Sequence, residues 1–150
     1  MKESYKEAFE KTRLAGIIAA GALDEVTKIA IPGTQTSKID KLCYEYLNDN
    51  GAYSAPLFYR GFPKSCCTST NHIVCHGIPS DKILKDGDIV NVDVTALKDG
   101  WHGDTSRMFK IGEVSIKAER LVNTTYEAMM KAIEIIKDGV QLGDIGSAIQ

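Results

Sequence analysis

The run Ile89-Val90-Asn91-Val92-Asp93-Val94-Thr95-Ala96-Leu97 constrains this chain more than any other stretch. Val90, Val92 and Val94 alternate with Asn91, Asp93 and Thr95, the period of a strand with one buried face. Asp99-Gly100 follows, a pair suited to a tight hairpin because both turn positions need positive φ. The return run is Trp101-His102-Gly103-Asp104-Thr105-Ser106-Arg107-Met108-Phe109. A two-residue loop sets Lys98 opposite Trp101, Thr95 opposite Asp104 and Asp93 opposite Ser106. Residues two apart share a face, so Asp93 and Asp104 become diagonal neighbours with Cβ atoms about 7 Å apart or less.

Two carboxylates that close repel each other unless a cation lies between them. A pair of divalent ions about 3.5–4 Å apart would fit the space, with one carboxylate bridging. A plainer reading stands beside this one. Polar residues on a strand commonly face water and bind nothing. A longer loop with the register shifted by one would also put the aspartates on opposite faces and remove the site.

The remaining sequence describes an ordinary globular chain. Its 150 residues suit one domain, which at this size buries about 70% of its unfolded surface. Hydrophobic residues make up 43% and charged residues 25%, and the net charge of −2 argues against binding DNA by phosphate neutralisation. Cys43, Cys66, Cys67 and Cys75 form no C-x-x-C pair, so reduced thiols and a cytoplasmic location are expected. Met1-Lys2-Glu3-Ser4 has no apolar leader character, and no run reaches transmembrane length.

Residues 4–30 read as a helix, with Phe9, Leu14, Ile17, Ile18, Leu23, Val26 and Ile29 at three- and four-residue spacing and Ile31-Pro32-Gly33 as the stop. A second helix is expected to start at Ser37 as its cap and to bury Ile39, Leu42, Cys43, Tyr46 and Leu47, with Gly51 just past its end. Residues 52–71 read as a Pro- and aromatic-rich loop, which either packs as a lid on the core or lines a pocket. Ile73-Val74-Cys75 reads as strand, which separates His72 from His76 and argues against a zinc site between them. His72 is expected at the surface, and His102 as a packing or supporting residue. Asp86-Gly87-Asp88 reads as the turn before the first aspartate strand, and Lys110-Ile111-Gly112-Glu113 as the end of the second. Ser115 can cap a helix running to about Lys137, with the Met129-Met130 pair expected in a core.

Three stretches carry a family resemblance. They are Asn71-His72-Ile73-Val74-Cys75-His76-Gly77-Ile78-Pro79, Leu84-Lys85-Asp86-Gly87-Asp88-Ile89-Val90-Asn91-Val92-Asp93-Val94, and Asp99-Gly100-Trp101-His102-Gly103-Asp104-Thr105-Ser106. Together they closely resemble the type I methionine aminopeptidases. The resemblance implies an α/β (α+β) pita-bread fold of two similar halves with the active site between them. It implies that Asp93 and Asp104 are metal ligands for two divalent ions (Co, Mn, Fe or Zn), Asp104 bridging. It makes His76 catalytic and substrate-binding near the scissile amide, and makes Tyr59, Phe62 and Cys67 the walls of a methionine pocket. Phe62 stands where the family often has tyrosine, and Pro56 where it often has cysteine, which bears on fine specificity.

A faint internal echo accompanies the resemblance. Ala22, Ile29, Gly33, Gln35 and Ile39 recur as Ala128, Ile135, Gly139, Gln141 and Ile145, a shift of 106 residues. The chain is thus expected to hold a first repeat over about 4–112 and the start of a second over about 115–150, within one catalytic domain incomplete at its C-terminus. The family's remaining ligands, a histidine and two glutamates, fall beyond Gln150 by this reading. So does a further histidine that stabilises the oxyanion.

The implied activity is removal of the N-terminal methionine from peptides and nascent proteins by dinuclear-metal hydrolysis. The 150-residue chain alone is expected to be inactive. The implied partners are a peptide with N-terminal Met and, transiently, the ribosome; no DNA or membrane partner is expected, and the full-length protein would be a monomer. Two other classes stay open: a non-catalytic half-fold that binds a partner at an uncovered edge, and a related proline-specific peptidase.

Overall fold

The computed structural model describes residues 4–150, so Met1-Lys2-Glu3, part of the stretch read above as free of an apolar leader, lie outside it. The chain divides into two compact units, Met1–Glu113 and Val114–Gln150.

In the first unit, α1 (Tyr5–Thr27) and α2 (Thr36–Asp49) pack on an antiparallel sheet. The sheet is organised on β3 (Ile89–Lys98). Along one edge β3 pairs with both β1 (Tyr53–Ser54) and β2 (Cys67–Thr70), and along the other with β4 (Trp101–Lys110). Ser4 caps α1 reciprocally with Glu7: the Glu7 N–H donates to Ser4 Oγ at 3.3 Å and the Ser4 N–H to Glu7 Oε2 at 2.9 Å.

The face α1 buries is narrower and smaller than its apolar pattern suggests. Ala15, Ile18, Ala19, Ala22, Leu23 and Val26 are buried, while Phe9, Leu14 and Ile17 point outward. The reason lies in β4. A Cβ on Gly103 would stand 2.1 Å from the Gly16 backbone nitrogen, so helix and strand touch backbone to backbone, and only small residues fit there. Ile39, Cys43 and Leu47 from α2 and Val90, Val92, Val94 and Ala96 from β3 complete the core, with Leu42 and Tyr46 partly buried against it.

Three local expectations need correction. The residue at the N-cap of α2 is Gln35, and Ser37 does not cap. The segment Ser80–Leu84 satisfies the helix entry instead: the Thr36 and Ser37 N–H groups donate to the carbonyls of Lys82 (3.0 Å) and Ser80 (2.8 Å). Residues 52–71 are not all loop, because β1 and β2 form there. Both strands are short, and their partners lie far along the chain in β3, so no local period announces them. Ile73-Val74-Cys75 is not strand; it lies in an exposed turn bracketed by Asn71 and His76, both left-handed. The end of α2 is as expected. Gly51 at φ 64° donates to Asn48 (2.9 Å) and Ala52 to Leu47 (2.9 Å), the paired bonds of a glycine-terminated helix.

In the second unit, Ser115 caps α3 (Ile116–Glu134), and α4 (Leu142–Ile149) follows. Gly33 and Gly139 both take positive φ, and Gln35 and Gln141 both sit at helix N-caps. Only Ala132 is buried on α3; Met129 and Met130, expected in a core, are 45% and 36% exposed. The apolar side of α3 faces α4 alone within this unit and lines a groove of about 580 Å³. Eight of the groove's ten lining positions correspond, 106 residues earlier, to buried residues of α1 and α2.

Candidate active site

The β3–β4 hairpin is built as its turn chemistry requires. Asp99 (φ 50°) and Gly100 (φ 85°) make the two-residue loop, and the pairs Lys98–Trp101, Thr95–Asp104 and Asp93–Ser106 follow. One face of β3 presents Val90, Val92, Val94 and Ala96 to the core, all fully buried. Asp93 and Thr95 point the other way, and β4 sets Asp104 beside them. On the opposite edge β2 places Cys67 directly across from Asp93.

These residues form the floor of a cleft of about 610 Å³. One wall is the segment from Pro56 to Pro63, folded around a tight turn at Tyr59–Gly61. Its far end is tied down by Asp40, whose Oδ1 accepts from both the N–H and the hydroxyl of Ser65 at 2.7 Å. The other wall is His76 and Ile78. The chain there crosses β2 closely: Thr68 N–H donates to the Gly77 carbonyl at 2.8 Å, and a Cβ on Gly77 would stand 2.3 Å from Thr68 O. His76 enters that crossing at φ 54°, a left-handed conformation that a non-glycine residue holds only where its surroundings fix it.

The structure therefore brings all six residues singled out in the sequence, Tyr59, Phe62, Cys67, His76, Asp93 and Asp104, to one cleft. It adds Thr95, whose Oγ1 donates to Asp104 Oδ1 at 3.0 Å, together with Arg60 and Ile78. The hairpin register had set Thr95 opposite Asp104 without marking it as a site residue; nothing local marked Arg60 beyond its place between Tyr59 and Phe62. His72 is exposed and does not line the cleft. His102, expected to pack or support, is exposed opposite Leu97 and lies outside the cleft lining.

The electrostatics of the floor follow from its geometry. Desolvation first, then the charge of Asp104 and a hydrogen bond between the two carboxyls, push Asp93 up to about 6, with His76 pulling it down. Burial, with Asp93, Cys75 and Asp104 adding negative potential, pushes the Cys67 thiol up to about 11. At neutral pH Cys67 is therefore a neutral, polarisable wall rather than a nucleophile.

Residues 10–150 match the family model of metallopeptidase family M24. The chain belongs to metallopeptidase family M24. Within M24, it is 56% identical over 150 residues to the methionine aminopeptidase of Rickettsia prowazekii, covering all of this chain and 58% of that protein. The crystal structure of methionine aminopeptidase from Rickettsia prowazekii superposes with a TM-score of 0.96 at 53% identity, over all of this chain and 60% of that one. A Xaa-Pro dipeptidase from Bacillus anthracis shares the fold, with a TM-score of 0.84 at 21% identity over 95% of this chain and 39% of that one. The M24 chain thus has the pita-bread fold over the part it spans, which is just over half the length of the relatives it matches.

Membership of M24 implies a divalent metal, and the donor set can be tested against that. Asp93 and Asp104 are two hard oxygen donors facing one cleft, and their mutual repulsion raises the proton affinity of Asp93. Two such donors fit a divalent cation. Among the described residues no group of three or more His, Cys, Asp or Glu side chains gathers to hold a metal. No helix of the described residues is long and apolar enough to cross a membrane.

Proposed function

We propose that this chain supplies the substrate cleft and two metal-binding carboxylates of an aminopeptidase that removes N-terminal methionine from peptides and nascent proteins. One observation carries the reading. Two electrostatically linked carboxylates lie on the floor of a cleft walled by aromatic rings, a neutral thiol and a histidine, in a chain similar over its whole length to a methionine aminopeptidase.

Asp93 and Asp104 would hold two divalent ions, drawn from Co, Mn, Fe and Zn. Bound metal supplies Lewis acidity toward the scissile carbonyl and makes a water nucleophilic at neutral pH. The chain's own residues do the rest. Thr95 fixes the Asp104 carboxylate by its hydrogen bond. Tyr59, Phe62 and Cys67 offer an apolar, polarisable wall to the thioether of methionine. His76, which lines the same cleft, would donate a hydrogen bond to the scissile nitrogen as it becomes the leaving amine, and imidazole suits that proton delivery near neutral pH. Four free cysteines suit the reducing cytoplasm, where nascent chains emerge.

The test has two readouts. Mn²⁺ added to the chain is expected to broaden NMR signals of residues around Asp93 and Asp104, and Asp104→Ala to remove the effect. Release of methionine from Met-Ala-Ser with Mn²⁺ or Co²⁺ is expected to be absent or slow, since two carboxylates provide few of the ligands two ions use. Broadening that persists in Asp104→Ala, or spreads without reference to the hairpin, would sink the metal assignment.

A further inference from the structure

Arg60 is the charged group at the cleft that the proposed reaction leaves unused. Among the described residues lining the cleft it is the only lysine or arginine. Its guanidinium carbon stands 5.5 Å from the centre of the Tyr59 ring, within cation–π range. No carboxylate of the described residues pairs with it, whereas nearby Lys64 has Asp40 at 3.7 Å.

The backbone presents this side chain from a preset knuckle. Phe58 at φ 66° and Arg60 at φ 49° are both left-handed without being glycine. Each such residue costs about 1–2 kcal/mol. The knuckle is closed by bonds from Phe58 N–H to the Phe62 carbonyl (2.8 Å) and from Tyr59 N–H to the Pro56 carbonyl (2.9 Å). Strain of this kind persists where the surroundings fix it, and it clusters at ligand sites.

The cleft is thus polarised, with two carboxylates on its floor and a guanidinium on its wall. In the metal-free chain a peptide's ammonium is drawn to Asp93 and Asp104, which repel any carboxylate. We propose that Arg60 is a specificity residue that favours methionyl peptides carrying a carboxylate shortly after the scissile bond. The carboxylate is either an acidic side chain or the free C-terminus of a short peptide. A guanidinium takes a carboxylate through two parallel N–H donors, and the Tyr59 ring steadies its plane. This rests on the peptide reading above.

Binding of three probes to the metal-free chain, by NMR titration in EDTA, separates the two. The probes are Met-Ala-Ser amide, Met-Ala-Ser with a free C-terminus, and Met-Ala-Glu amide. Both carboxylate probes are expected to bind about two- to fivefold more tightly than the serine amide, the range an exposed ion pair gives. The preference is expected to vanish in Arg60→Gln, to survive in Arg60→Lys, and to shrink in high salt. Which probe gains more tells side chain from C-terminus. Binding of the serine amide with no carboxylate preference, or a preference that survives Arg60→Gln, overturns the Arg60 assignment alone. No binding by any methionyl probe removes the peptide reading and this proposal with it.

Discussion

Asp93 holds its proton unusually well, because half-burial and a second carboxylate both oppose its charge. The sign of the consequence is fixed. A carboxyl whose pKa is about 6 when folded, against an ordinary aspartate value of 3.8, favours the folded state below pH 4 and loses that contribution as pH rises through 6. Asp93 is only half-buried, so after solvent screening the effect is about 1 kcal/mol. In EDTA, the Asp93→Asn variant is therefore expected to unfold at higher urea than the wild type at pH 7.5, with the two converging at pH 4. A wild type more stable than the variant at pH 7.5 would contradict the electrostatics described here. On the metal assignment proposed above, the same proton competes with the ion, so Mn²⁺ affinity should fall as pH drops below 6.

At the scale of elements, the sequence was legible where structure is local. The hairpin register followed from an alternating run and Asp-Gly, and the end of α2 from Gly51, because each depends on neighbours a few residues away. What the sequence hid depends on distant partners. β2 is four residues, all buried, with no alternation to read, and exists because β3 offers it an edge. Ser37 had the right chemistry for a cap, yet Ser80 and Lys82 from a distant segment occupy the helix entry. That the candidate residues share one cleft was legible through resemblance and register together. The exposure of Phe9, Leu14 and Ile17 was not: α1 meets β4 through Ala15 and Gly16, at Gly103 of another element. That contact makes a prediction. Gly103→Ala would put a methyl against the backbone of Ala15 and Gly16, and overpacking of this kind costs about 1–3 kcal/mol. At Gly100, where a Cβ meets nothing within 4 Å, alanine carries only the cost of positive φ, about 1 kcal/mol. Urea midpoints should therefore rank wild type first, Gly100→Ala second and Gly103→Ala last. The reverse order of the two variants would mean that α1 and β4 are not in backbone contact.

Across the whole molecule, two helical faces of matching pattern meet different fates. Leu23 and Met129 lie 106 residues apart, each on the apolar side of the first long helix of its unit. Leu23 is 1% exposed beneath a sheet, and Met129 is 45% exposed in the groove of α3 and α4. Leu121, Ile133, Ile136 and Ile149 lie open around Met129, a continuous apolar surface of the kind that drives association in water. A charge at the two positions should then act in opposite ways. Leu23→Glu places a carboxylate at a site only 1% exposed within the apolar core that holds Ala22 and Val92, and is expected to unfold the first unit. Met129→Glu is expected to leave the urea midpoint of that unit where it was and to lower self-association in sedimentation velocity. If Met129→Glu instead destabilises the chain as Leu23→Glu does, the α3 face is covered in solution. The matching positions would then share an environment as well as a pattern.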